Sequence, residues 1–357
     1  MAISVRTVFS QIYLSAMLPD TVTFYTQDDT ASANVTLYVN SAPIFRTTLY
    51  PYERVMNLKD IRSIIEGQLH KDNIASAECY IAIYDQFSHA NTQTFYVIAS
   101  DYAIPSPAHF LSTHFLTTRN SFRIHRKGKQ NLSWFVPSYA RVSYYTEALI
   151  LPDGQVSPVL LRRDEGTTPN YMGAVYREEI SVQTVAEQFE RTFPNSRGKL
   201  LSFTVHRGNR AMTFYVTDEK PDFHLVFYNT FNVTEYAEFY ATTTQKQKVQ
   251  RSEALCNNIR TQYDQFTEHS FDVETAAVPY EEALWINQIF SSRFVSIPIY
   301  LDTYVEILIT ESTSEISDSD KEQNRLKFSY KYAKNVLHKY VNFAPSYFTE
   351  EFSKQFM

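Results

Sequence analysis

Arg119, Arg123, His125, Arg126, Lys127 and Lys129 form a short basic cluster, with Phe122 inside it and Trp134 following. Cationic side chains beside aromatic rings are the chemistry of single-strand nucleic-acid binding. The same cluster would also suit an acidic neighbouring subunit, or stand as a solvated hairpin. Asp318, Asp320 and Glu322 alternate like the start of a calcium loop. Such a loop needs Gly at its sixth position and Glu at its twelfth, where this chain has Gln323 and Ser329. A solvated hairpin loop is expected there. His109 and His114 flank an apolar stretch, where packing or surface positions suffice without a metal. Glu178-Glu179 and Glu281-Glu282 stand before or at expected helix starts, where a dipole role accounts for them.

Other reactive patterns are missing. The seven glycines (67, 128, 154, 166, 173, 198 and 208) are scattered, and they build no GxxxxGK[ST], GxGxxG or GxSxG string. HExxH is missing too. Cys79 and Cys256 cannot form a zinc site alone; two buried free thiols, or one disulfide, are the readings they allow. The sequons at Asn34, Asn131 and Asn232 are about as frequent as chance gives. No catalytic, cofactor-binding or metal residue is assigned, and no enzyme activity is expected.

The elements that would position any site are mostly strands. The chain has 357 residues, of which 44% are hydrophobic and 15% aromatic, and its formal net charge is −6. That acidic balance argues against a general nucleic-acid binder, which is normally basic. No stretch of about 18 apolar residues suggests a membrane span, and the interrupted run after Arg6 reads as a strand or arm rather than a signal segment. Apolar and polar residues alternate at period two over Thr21–Thr26, Val35–Val39, Cys79–Tyr84, Thr94–Ile98, Arg141–Ile150, Leu200–Val205, Met212–Thr217, Tyr304–Thr310 and Leu326–Tyr332. Arg207-Gly208-Asn209-Arg210 reads as a hairpin turn. Helical spacing is rarer. Asn57 reads as a cap before Leu58, Ile61, Ile64, Ile65 and Leu69, and Ser181 as a cap before Val182, Val185, Ala186 and Phe189, with Pro194 closing that segment. Pro279 opens a third helix, with Leu284, Trp285 and Ile289 as its apolar stripe, and a fourth spans Lys334 to Val341.

Thr94-Phe95-Tyr96-Val97 recurs as Thr213-Phe214-Tyr215-Val216, each after a helix and a strand. Two copies of one unit are therefore expected, at 37–138 and 139–250. They follow an N-terminal strand or arm at 1–36 and precede a C-terminal β unit at 251–333 with a helix at 279–290. A helix or tail at 334–357 ends the chain. The C-terminal unit is a possible third, diverged copy. The fold class is mainly β with a few short helices: tandem small β-sandwich or split-barrel units, each with one flanking helix. Unpaired edges and aromatic-rich surfaces point toward an assembly subunit.

The C-terminal part carries a resemblance. Phe227-Tyr228-Asn229-Thr230-Phe231-Asn232-Val233, Tyr280-Glu281-Glu282-Ala283-Leu284-Trp285, Glu306-Ile307-Leu308-Ile309-Thr310 and Asn324-Arg325-Leu326-Lys327-Phe328 occur in an order similar to uncharacterised proteins from the tail-gene regions of Bacteroidetes phages and prophages. The resemblance covers about 226–333. It implies a structural virion protein of a tail tip, baseplate hub, distal tail or connector. Such a subunit would form a trimeric or hexameric ring, contact neighbouring tail proteins and be assembled in the bacterial cytoplasm. It implies no cofactor. A receptor- or glycan-binding module of the same particle is the runner-up, and a tail-borne cell-wall hydrolase the third reading.

Overall fold

A computed structural model describes residues 3–27, 32–84, 89–136, 141–151, 157–167, 173–192, 199–256, 259–300, 303–319 and 323–334. Strands dominate, and the described residues include four short α-helices: α1 (Ile61–Lys71), α2 (Pro107–Thr113), α3 (Val182–Thr192) and α4 (Tyr280–Ser291). The mainly β class is thus what the chain adopts. Every alternating run named above coincides with a strand to within a few residues. The expected helix from Lys334 lies almost wholly outside the described residues, as does Pro194.

Two compact units result. One is Met1–Thr217 with Asn229–Thr234; the other is Asp218–Tyr228 with Glu235–Met357. The expected boundary at 250 falls inside a strand, Ala241–Cys256, so it is not a domain boundary.

The first unit contains one strand plan twice. In the first copy the sheet order is Ile12–Leu14, Phe95–Ile98, Ser76–Tyr84, Ala33–Val39, Ala42–Leu49. In the second it is Ser121–His125, Arg210–Thr217, Lys199–Arg207, Arg141–Leu151, Ser157–Thr167. In each copy the opening strand runs parallel to the last one, pairing Tyr13 with Val97 and Phe122 with Phe214. A smaller antiparallel pair accompanies each sheet, Val22–Tyr25 with Val55–Leu58 and Lys129–Val136 with Ala174–Ser181. One helix follows the smaller pair in each copy, α1 or α3. The copies therefore begin at their opening strands, near residues 12 and 121. Residues 12–27 and 32–36, expected in an arm, and 121–136, expected at the end of the first copy, belong to the repeats themselves.

Burial explains the plan. Val22 and Phe24 of the small sheet share one core with Val35, Leu37, Ile81, Ile83, Phe95 and Val97 of the large sheet, and with Ile61, Ile65 and Leu69 of α1. Those three helix residues recur every fourth position, so they line one face. Asn57 does not cap α1: it lies in the strand Val55–Leu58 and accepts a hydrogen bond from Thr23 Oγ1 at 2.9 Å. Asp60 precedes the helix instead, with φ 61°. In α3, Val182 and Phe189 are buried as expected.

The copies are joined by packing. Leu14 and Ile98 of the first, Phe135 of the second, Leu111 and Leu116 of the linker, and Phe231 and Val233 form one apolar cluster. Asn229 Nδ2 donates to Leu116 O (2.8 Å) and Asn232 Nδ2 to Ile74 O (2.9 Å). Gly173, at φ 73°, approaches the Tyr96 ring so closely that a Cβ there would overlap it. Glycine meets both demands at once, a left-handed backbone and no side chain.

The second unit is one seven-stranded sheet. Its order is Thr234–Phe239, Phe223–Tyr228, Val295–Tyr300, Thr303–Glu315, Arg325–Tyr332, Ile259–Thr275, Ala241–Cys256. The first and last of these strands sit at opposite edges yet are separated by Tyr240 alone. Two Cα steps of about 3.8 Å bring those edges together at one corner, so the sheet curls on itself. Phe223 fills the concavity, 5.3 Å from Phe239 and 5.8 Å from Phe328. Helix α4 buries Ala283, Trp285, Ile286 and Ile289. Leu284, expected in its apolar stripe, is 42% exposed. The strand after α4 pairs with Phe223–Tyr228. In the two copies the strand after the helix pairs with the first strand of the preceding hairpin. The C-terminal unit therefore does not repeat their plan.

Candidate binding groove on the second unit

Four adjacent strands of the curled sheet carry a polar groove of about 390 Å³. Its strand-by-strand register follows from the pairing. Glu311, Ser329, Asp272 and Thr244 form one transverse row, and Thr313, Lys327, Glu274 and Thr242 form the next. Alternation at period two puts these side chains on one face and Phe271, Val273, Phe328 and Tyr330 on the other. The second set is buried. The sequence therefore makes this groove by the same rule that makes the core behind it.

The rows are laced by charge. Ser329 Oγ donates to Asp272 Oδ1 at 2.8 Å, and Lys246 Nζ pairs with the other oxygen of Asp272. The hydrogen bond from Lys246, then that from Ser329, holds the Asp272 carboxyl below the usual carboxylate range. The same contact pushes the Lys246 ammonium up. Both groups are solvated, so the pair is open to screening by salt and contributes little to stability. Lys327 Nζ lies 3.1 Å and Arg325 Nη1 4.0 Å from Glu274. Carboxylates, hydroxyls and one ammonium thus converge along extended backbone. They can donate and accept hydrogen bonds to a polar ligand laid across the strands. Phe328 is the aromatic residue among the lining, and burial at 3% exposure keeps its ring from stacking on a sugar.

The residues singled out in the sequence lie elsewhere. The basic cluster is not a hairpin: Ser121–His125 and Lys129–Val136 enter different sheets, and the turn between them is a corner. Arg119 Nε donates to Ser121 O and its guanidinium lies 5.8 Å from the Phe122 ring centre. Lys129 pairs with Glu179 at 3.3 Å. Glu178 and Glu179 are strand residues, not helix-start residues; Glu178 grips Arg207 in a bidentate pair at 2.7 and 2.5 Å. Glu281 and Glu282 do stand in the first turn of α4. The His114 ring stacks on Phe110 at 5.1 Å. Asp318 lies in the connection before Arg325, whereas Asp320 and Glu322 lie outside the described residues. Among the described residues no three His, Cys, Asp or Glu side chains converge as a metal set. Asn131 and Asn232 are buried, which leaves Asn34 as the exposed sequon.

Cys79 is free and fully buried. Burial, and then the charge of Glu78, pushes its thiol from 9.0 up to about 12. Well below pH 9 the thiol is mostly neutral in folded and unfolded chains alike, although the unfolded chain already carries a minor thiolate fraction at pH 8. Between about 9 and about 12 only the unfolded chain ionises, so stability falls across that window. In a Cys256→Ser chain at pH 8, Cys79 is expected to react with a disulfide reagent about a hundredfold more slowly when native than in denaturant, since thiolate and access are both withheld. Equal rates would contradict the burial.

No protein-family model matches this chain, and no curated protein matches its sequence. The structures it is similar to include the fibronectin(III)-like modules of Clostridium thermocellum CbhA, at 9% identity and TM-score 0.17, covering 60% of this chain and 94% of that one. The plexin A4 extracellular region follows at 7% and 0.22, covering 94% and 40%. Trypsin-activated alpha-2-macroglobulin from Escherichia coli follows at 8% and 0.19, covering 85% and 24%. Superpositions at this level carry no argument about function. No helix among the described residues is long and apolar enough to cross a membrane.

Proposed function

We propose that this chain is a structural assembly subunit that works by tiling with copies of itself. One observation carries the reading: the same strand plan occurs twice in one unit, and it leaves the equivalent strand at the sheet edge in both copies. Those strands are Ala42–Leu49 and Ser157–Thr167. An open edge presents unpaired N–H and C=O groups, which template pairing with another chain. A subunit that presents one edge twice suits a ring whose local symmetry is double its subunit number, so a trimer would offer six equivalent edges. The resemblance of the segment 226–333 supports placing that ring in a phage tail or tail-like particle, as a tip, hub, distal-tail or connector component.

Light scattering on the purified chain is expected to return a multiple of 41.5 kDa, three- or sixfold. Electron micrographs of the same sample are expected to show rings. A monomer at tens of micromolar would end the assembly reading. Absence of the chain from purified tail particles of a host that carries its gene would end the placement.

A further inference from the structure

The strands Ala241–Cys256 and Ile259–Thr275 pair along their whole length. The neighbouring strand covers the second of them only over Phe271–Glu274. Residues 245–256 and 259–270 therefore form a two-stranded ribbon that leaves the sheet, with roughly a dozen residues per strand, or about 40 Å. Ten consecutive residues, Thr242 to Arg251, are exposed. Alternate residues face opposite sides of a strand, so both faces of this strand meet water. Val249 at 39%, Phe266 at 49% and Leu255 at 67% exposure are apolar side chains on that ribbon. Two-stranded ribbons are marginal in water unless a third strand or a packing face supports them.

The ribbon's charges are sorted by strand. Lys246, Lys248 and Arg251 lie on its first strand, with Glu253 the only acid there; Asp264 and Glu268 lie on its second, with Arg260 the only permanently charged base. Pairing two first strands edge to edge would oppose cation to cation. Pairing the first strand of one ribbon with the second strand of another opposes cation to carboxylate, which favours cross-strand association.

We infer that the ribbon docks head to tail on the ribbon of a second copy of this chain, basic strand against acidic strand. This rests on the assembly reading above and adds to its sheet edges a second contact between copies. The contact is heterologous, since each copy offers different edges to its two neighbours. A heterologous contact repeats into a closed ring or an open filament. Main-chain hydrogen bonds between the edges supply affinity, and the charge order fixes direction.

Three full-length chains test this by light scattering, with circular dichroism as the check on folding. Lys248→Glu/Arg251→Glu is expected to weaken association at least tenfold and shift mass toward 41.5 kDa. Adding Asp264→Lys to that chain, an acid that faces Ser252 and not a cation within its own ribbon, is expected to restore the oligomer. Pairing of like strands would leave it dissociated, which overturns the head-to-tail arrangement. If the double variant loses its fold, Asp264→Lys alone reads the same contact from the other strand. Hydrogen exchange of the peptide 241–256 is expected to be slower in the assembled wild type than in the dissociated variant. An unchanged oligomer in the double variant overturns the ribbon contact while the assembly reading stands. A monomeric wild type overturns both.

Discussion

Arg210→Ala is expected to destabilise the first unit by about 3–4 kcal/mol. Arg210 sits at the end of the Arg207–Arg210 turn, where Gly208 takes φ 63° and polar residues suggest a solvated loop. Its side chain is instead 5% exposed. Nη2 donates to Leu111 O and, at 2.9 Å, to Phe135 O; Nε donates to His114 O at 3.1 Å. Leu111 and His114 are at the C-terminal end of α2, whose last carbonyls have no partner within the helix. A guanidinium there satisfies them and meets the negative end of the helix dipole. Phe135 belongs to the small sheet of the second copy, so one side chain ties the linker helix, that sheet and the hairpin together. Hydrogen bonds from a charged donor are worth about 1.5–3 kcal/mol each and do not add fully within one network. Arg210→Lys keeps the charge but loses the planar fork, so it should recover less than half. Trp134 lies in the first unit and Trp285 in the second. Urea unfolding of a Trp285→Phe chain therefore reads the first unit alone. A loss under about 1 kcal/mol for Arg210→Ala would mean that these carbonyls have other support.

How much of this the sequence discloses depends on whether burial leaves a period. Phe95 and Phe214 are fully buried in equivalent strands, and the repeated string around them is what makes the duplication readable. The opening strands escape because Ile12–Leu14 is only three residues long and Ser121–His125 looks like a charge cluster. Each is placed by a parallel partner some ninety residues later, so the repeat boundaries shift. Asn57 fits a cap pattern by residue type, but pairing of Val55–Leu58 with Val22–Tyr25 claims it for a sheet. Helix α2 has seven residues, too few to show a helical stripe. The ribbon escapes for the opposite reason. A strand wet on both faces has no apolar alternation, and Thr242 to Arg251 shows none. The groove is legible only afterwards: Asp272, Lys327 and Glu311 come from three separate strands, and only register brings them together. Arg207 and Arg210 look like turn residues because the acceptors that bury them, on Glu178, Leu111 and Phe135, are distant in sequence.

Trp285→Ala is expected to cost the second unit about 4–5 kcal/mol, the larger of the two losses. Trp285 is the centre of the buried face of α4, at 3% exposure, with Phe227 edge-on at 5.9 Å. Truncating a buried tryptophan removes its transfer free energy and leaves a cavity, together about 3–5 kcal/mol. A second loss is polar. The indole Nε1 donates to Glu235 Oε2 at 2.5 Å, and Glu235 is 2% exposed. Removing one donor from a buried carboxylate costs about 1–3 kcal/mol more, less whatever water enters the cavity. Trp285→Phe separates the two, since it keeps most of the apolar volume and loses the donor. Its expected loss is about 2 kcal/mol. Glu235→Gln keeps an oxygen acceptor for the indole, so it should cost less than Trp285→Ala. Unfolding of these variants is followed by far-ultraviolet circular dichroism, because the reporter tryptophan of this unit is itself replaced. If Trp285→Phe proves as damaging as Trp285→Ala, the indole–carboxylate bond outweighs the packing and α4 is held to the curled sheet mainly by polarity. If it is harmless, the ring alone holds it.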